Sequence, residues 1–182
     1  MRSPLSVLDH VQPNPGRGRS VRYSAVRREH VFDVSYGAFT VGLESLFAAF
    51  ETPPGAAPTT TLSDFALLYK VEHGAPDAPD SAAAALGATY VFKNPLIGPR
   101  MKLSERRAGL YLPLRLYVAE LGVDQTLATY DVPTSVFAQF ASPDVDAFAA
   151  LLDDKLYALV LDAAELAGQD SLDDDENPAG TG

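Results

Sequence analysis

Residues 110–118 alternate with a period of two, and that alternation constrains the fold more than any other feature. Leu110, Leu112, Leu114, Leu116 and Val118 fall on one side of an extended chain; Tyr111, Pro113, Arg115 and Tyr117 fall on the other. Successive side chains of a strand point to opposite faces, so one face here is apolar and must be covered, and the other is polar and aromatic. Pro113 cannot donate to a ladder and predicts an edge position or a bulge. Gly122-Val123-Asp124 then predicts a tight turn into a further strand from Gln125 to Tyr130. Strands joined this closely pair antiparallel.

Three more strands precede this hairpin. His30 to Tyr36 alternates, with Val31, Asp33 and Ser35 opposite Phe32, Val34 and Tyr36. Asp64 to Glu72 places Phe65, Leu67, Tyr69 and Val71 inward, and Ala88 to Lys93 is a short apolar strand. Lys93-Asn94-Pro95 ends it, because Pro95 removes a donor and restricts Asn94. Gly98-Pro99-Arg100-Met101 reads as a turn.

Two helices are predicted by a 3.6-residue stripe. The first has Thr40 as its cap and Leu43, Leu46, Phe47 and Phe50 on one face. The last starts at Ser142-Pro143-Asp144 and carries Val145, Phe148, Leu152, Leu156, Leu159, Ala163 and Leu166, with Gly168 as its stop. Shorter helices are expected over 81–86, ended by Gly87, and over 133–140, capped by Asp131 or Thr134. The economical fold is α+β: a two-layer sandwich, a mostly antiparallel five-stranded sheet with two main helices packed on one face.

With 182 residues the chain suits a single domain with tails. Residues 1–28 form an irregular basic arm, with six Arg and one Asp; 29–168 form the domain; 169–182 form an acidic tail expected to be disordered. The arm either grips a partner or lies solvated, and its composition favours the second. The net charge of −10 repels a phosphate backbone and argues against nucleic acid as a partner.

Cysteine is absent, which excludes disulfides and thiolate chemistry. His10, His30 and His73 are too scattered for a His-based metal site. No apolar leader or membrane span is expected, and the cytoplasm is the expected compartment. No metal or cofactor is expected either.

Several short motifs occur in a fixed order: Glu72-His73, Phe92-Lys93-Asn94-Pro95, Gly98-Pro99-Arg100-Met101, Leu112-Pro113-Leu114-Arg115 and Tyr130-Asp131-Val132-Pro133. In that order they resemble the family named Domain of Unknown Function 302, over roughly residues 30–167. Lys93 stands where the family commonly has Gly, Glu72 where it has Asp, and Val132 separates Asp131 from Pro133. The resemblance implies a fold like that of the TATA-binding protein, often as a homodimer, and implies no established activity. Reading nucleic-acid binding from that fold would be analogy alone.

The polar face of the sheet is where binding is expected. The alternation assigns it Lys70, Glu72, Lys93, Tyr111, Arg115, Tyr117 and Tyr130. Glu72, His73, Asn94, Arg100, Tyr111, Arg115 and Tyr117 are the candidate ligand-binding residues. Arg100 or Arg115 can hold an anionic group through a forked hydrogen bond, with Glu72 and His73 at the rim. A homodimer seam on the same face fits Tyr and Arg equally well. An enzyme using Glu72 and His73 as an acid/base pair is the third reading, and it needs both side chains beyond the strand end. No catalytic residue is assigned. Asn94-Pro95 also has a plainly structural reading, an Asn satisfying its own backbone at a turn.

Overall fold

The computed structural model describes residues 25–49, 65–74 and 86–175. The chain order is β1 (Arg27–Phe32), α1 (Tyr36–Ala49), β2 (Ala66–His73), β3 (Gly87–Lys93), α2 (Ile97–Ser104), a 3-10 turn (Arg106–Tyr111), β4 (Leu114–Gly122), β5 (Gln125–Asp131), α3 (Pro133–Phe137), a second 3-10 turn (Ala138–Phe140) and α4 (Pro143–Asp175). The five strands form one sheet in the order β1-β5-β4-β3-β2, and every neighbouring pair is antiparallel.

Both main helices cover one face of this sheet. Phe39 of α1 stacks on Phe32 with ring centroids 5.5 Å apart, and Phe47 lies 5.3 Å from Phe92 and 6.1 Å from Tyr90. Tyr157 of α4 lies 5.5 Å from His30. The register puts His30, Ala128, Val118, Ala88 and Glu72 in one row across the sheet on that side. The expected two-layer sandwich with two main helices on one face is therefore observed. Its core holds Leu114, Leu116 and Val118 of β4, as the alternation predicts.

Four sequence expectations change. β4 starts at Leu114; Leu110 before it belongs to a 3-10 turn and is 81% exposed, while Leu112 is extended and packs against the core. Pro113 precedes the central strand instead of lying in an edge strand, a position that costs no ladder bond. The turn at 98–101 is part of helix α2. Helix α1 begins at Tyr36: Ser35 Oγ accepts from the Ala38 N–H at 3.2 Å, and the Thr40 hydroxyl donates back to the Gly37 carbonyl at 3.0 Å. Thr40 is inside the helix and Ser35 does the capping.

Two boundaries move as well. β1 starts at Arg27, so the last two residues assigned to the basic arm are strand. α4 passes through Gly168 and ends at Asp175, with Ala167 beside that glycine still buried. The expected helix at 81–86 lies outside the described residues apart from Leu86, which precedes β3. Among the described residues no helix is long and apolar enough to cross a membrane.

Candidate functional site

The face of the sheet opposite the helices is set by the register. One row runs Tyr69, Val91 and Arg115, with Arg27 and Asp131 paired at its far end. The next runs Val71, Thr89, Tyr117, Thr129 and Glu29. A third runs His73, Gly87, Ala119, Leu127 and Val31. The first row ends in charge, the third is mostly apolar, and Tyr117 lies between them.

A bulge decides which β2 residues belong here. Leu67 pairs with Phe92 but Tyr69 pairs with Val91, so Leu68 is an extra residue in the strand. One extra residue sends every later side chain to the other face. Tyr69 and Val71, expected inward, are 55% and 43% exposed on the open face. Lys70 and Glu72, expected on the open face, lie on the helix side. There Lys70 Nζ is 3.0 Å from Glu44 Oε1 and 2.8 Å from Glu72 Oε1. The Tyr90 hydroxyl, fully buried, donates to Glu44 at 2.9 Å. Burial first, and then the Glu44 bond, push the Tyr90 phenol far above its usual range. Lys70 draws the Glu72 carboxyl below the usual carboxylate value. These polar groups satisfy one another.

A depression built from charged and hydroxyl groups lies on the open face. Arg27, Thr89, Arg115, Tyr117, Thr129, Asp131 and part of Tyr130 line it, and its volume is about 300 Å³. Arg27 Nε pairs loosely with Asp131 Oδ1 at 3.6 Å. Arg115 has no ion-pair or hydrogen-bond partner among the described residues. Thr129 Oγ1 is buried and also lacks a partner among them. A buried hydroxyl without a partner costs about 1–3 kcal/mol, and because solvent does not reach this oxygen the cost belongs to the fold. On its far side the same Arg115 and Asp131 border a small cleft of about 50 Å³ shared with Tyr111 and Pro113.

Of the seven candidates, the structure brings three together. His73, Arg115 and Tyr117 share the open face; His73 Nε2 is 2.7 Å from Thr89 Oγ1, and its ring centroid is 5.8 Å from that of Tyr117. Glu72 points the other way, as adjacent strand residues must, so Glu72 and His73 do not form a pair. Tyr111 sits in the 3-10 turn, donates to Gln139 Oε1 at 3.1 Å and packs edge-on against Phe137. It reaches Arg115 only through the small cleft. Tyr130, also expected on the open face, is 3% exposed on the helix side.

Asn94 is 4% exposed, and its side-chain oxygen accepts from the Leu96 and Ile97 N–H groups at 3.0 and 2.8 Å. That turn leads into α2. Arg100 is exposed on α2 and does not line the depression. The sequence reading missed Arg27, Thr89, Thr129 and Asp131. Their only signal is cross-strand register, which no single strand displays. Among the described residues no cluster of His, Asp and Glu could hold a metal.

No family model matches the sequence, and no curated protein matches it. A solved structure does: the crystal structure of the uncharacterized conserved protein DUF302 from Bacillus stearothermophilus. It superposes with a TM-score of 0.56 at 15% identity, covering 75% of this chain and 97% of that one. The chain has a DUF302-like fold. Identity at that level shows the fold alone, and it agrees with the resemblance carried by the ordered motifs. An uncharacterized protein lends this chain no activity, so function has to be argued from the open face itself.

Proposed function

We propose that this DUF302-like domain is a non-catalytic binding module that takes a small anionic molecule on its open sheet face, at Arg115. The observation that supports this is the Arg115 guanidinium, exposed on the open face with no ion-pair or hydrogen-bond partner among the described residues. A guanidinium offers a planar fork of donors matched to a carboxylate or phosphate, and a neighbouring hydroxyl adds a further donor. The enzyme alternative has less support, because Glu72 and His73 point to opposite faces. The cytoplasm is the compartment this proposal assumes.

A thermal-shift screen of small carboxylates and phosphates is the test. An anion that raises the melting temperature of the wild-type chain should lose at least tenfold in affinity in Arg115→Ala, since a hydrogen bond to a charged group contributes about 1.5–3 kcal/mol. Arg100→Ala should leave the shift unchanged. Equal shifts in wild type and Arg115→Ala would overturn the assignment.

A second reading rests on a different observation. Val31, Tyr69, Val71 and Tyr117 are 56%, 55%, 43% and 37% exposed on this same face. Apolar and aromatic side chains grouped on an uncovered sheet suit an interface. A second copy of the chain is the proposed occupant, with the Arg115 depression beside the seam.

A further inference from the structure

We infer that the hollow between the Arg106–Tyr111 turn and the Ala138–Phe140 turn is a second binding site, and that it takes an uncharged aromatic ring. Arg107, Leu110, Tyr111, Gln139 and Phe140 line it around a volume of about 450 Å³, within the size range of small-molecule sites. None of these residues belongs to a strand, and Arg115 is not among them, so the inference does not rest on the anion reading.

The rings set the geometry. Tyr111 meets Phe140 with centroids 6.0 Å apart and planes 62° apart, and the Arg107 guanidinium carbon lies 5.3 Å from the Phe140 centroid. Tyr111 and Phe140 are both half-buried, so each keeps ring surface toward the hollow. Two rings at a steep angle offer a guest ring a stacked contact with one and an edge contact with the other. Those are the arrangements aromatic pairs prefer, and an aliphatic guest of equal size gains neither.

The polar groups of the lining already have partners. Glu105 accepts from Arg107 Nε and Nη2 at 2.9 and 2.7 Å, so the cation has its counter-charge. The Tyr111 hydroxyl donates to Gln139 Oε1 at 3.1 Å, and Gln139 Nε2 donates to the Val136 carbonyl at 2.6 Å. These bonds hold the walls in place before a guest arrives. A charged guest would lose hydration and meet a cation that is already neutralised. Leu110 stands at the rim with 81% of its surface in water, which a seated guest would displace. Next to Phe140, Ala141 holds a left-handed φ of 48°. Such backbone is strained for a residue with a Cβ, and strained positions cluster at binding sites.

The experiment titrates the full chain with indole, cyclohexanol and indole-3-acetate, read by NMR at the Leu110 methyls and the Gln139 side-chain amide. Indole should shift both signals and bind about fivefold more tightly than cyclohexanol, which has no π face. Indole-3-acetate, the same ring with a carboxylate, should bind no better than indole. Leu110→Ser, a change outside the core, should weaken indole about threefold. Phe140→Leu should remove the preference for indole over cyclohexanol, and Arg115→Ala should leave indole binding unchanged. Cyclohexanol binding as tightly as indole, indole-3-acetate binding best, no shift at Leu110, or indole binding unchanged in both Leu110→Ser and Phe140→Leu would overturn the site. So would a wild-type dimer that Leu110→Ser turns into a monomer, because a second copy would then be the occupant. Each of these failures leaves the Arg115 reading standing, and a failed anion screen at Arg115 leaves this site standing.

Discussion

His30 is held in its neutral form by its surroundings. Its ring lies among Phe32, Tyr130 and Tyr157, at centroid distances of 5.8, 6.0 and 5.5 Å, and its Nε2 is buried without a partner among the described residues. Burial first, and the Arg28 guanidinium second, lower its pKa below the ordinary 6.5. The sign follows from proton linkage. Above pH 6.5 both folded and unfolded chains carry a neutral ring, and nothing is lost. As the pH falls below 6.5 the unfolded chain takes up a proton that the folded chain refuses, so stability falls. Urea midpoints of the wild type and His30→Leu, compared at pH 7.5 and 5.5, should separate further at the lower pH. At pH 7.5 the Leu variant should be more stable by about 0.5–1 kcal/mol, the low end for an unmet polar group because the ring is only half-buried. Parallel pH curves would refute the neutral assignment.

Asn94 also acts at this scale. Asn94→Ala strips the acceptor from two N–H groups at the start of α2 and should cost about 1–2 kcal/mol in urea, whatever the ligand. A loss of ligand affinity in a variant of unchanged stability would return Asn94 to the binding candidates.

Between elements, α1 approaches α4 closely at Gly42. A Cβ at Gly42 would stand 2.8 Å from the Ala163 carbonyl oxygen and 3.2 Å from Leu166 Cβ. Carbonyl backbone cannot swing aside as a side-chain tip can. Overpacking of this kind costs about 1–3 kcal/mol, more than the ~1 kcal/mol that Ala gains over Gly in a helix. Gly42→Ala should therefore lower stability by up to about 2 kcal/mol. Gly168→Ala is the control: nothing lies within 4 Å of its added Cβ, so it should raise stability by about 0.5–1 kcal/mol. The opposite signs test the packing argument, since propensity alone predicts a gain at both positions.

The elements also show how far a one-dimensional pattern reaches. The inward faces of β4 and α4 are legible because each is a long periodic run buried on one side. The faces of β2 are not, because its bulge at Leu68 changes the phase within one strand, and the bulge exists only against β3. The 3-10 turn at Arg106–Tyr111 is hidden for a related reason: Leu110 continues the β4 alternation in sequence while its backbone is not extended.

At the scale of the molecule, no helix among the described residues covers the sheet face opposite α1 and α4. If a second copy covers it, light scattering at micromolar concentration should give twice the mass of the chain. Tyr69→Asp, which places a charge on the exposed face without touching the core, should shift the mass to that of one chain. A clean monomer in the wild type would remove the seam and leave the Arg115 depression open to solvent.

What the sequence determined by itself was the architecture: five strands, two long amphipathic helices and the antiparallel hairpin, because burial of a periodic apolar face depends on nearest neighbours along the chain. It also singled out Arg115 and Tyr117, which alternate with buried leucines. Only the tertiary structure decided what stands beside them. Arg27 on β1 and Thr129 and Asp131 on β5 meet Arg115 through cross-strand register, and the bulge in β2 sent Glu72 to the helix side and His73 to the open face. Pairing register is a property of two strands at once, and the binding face is made of that register.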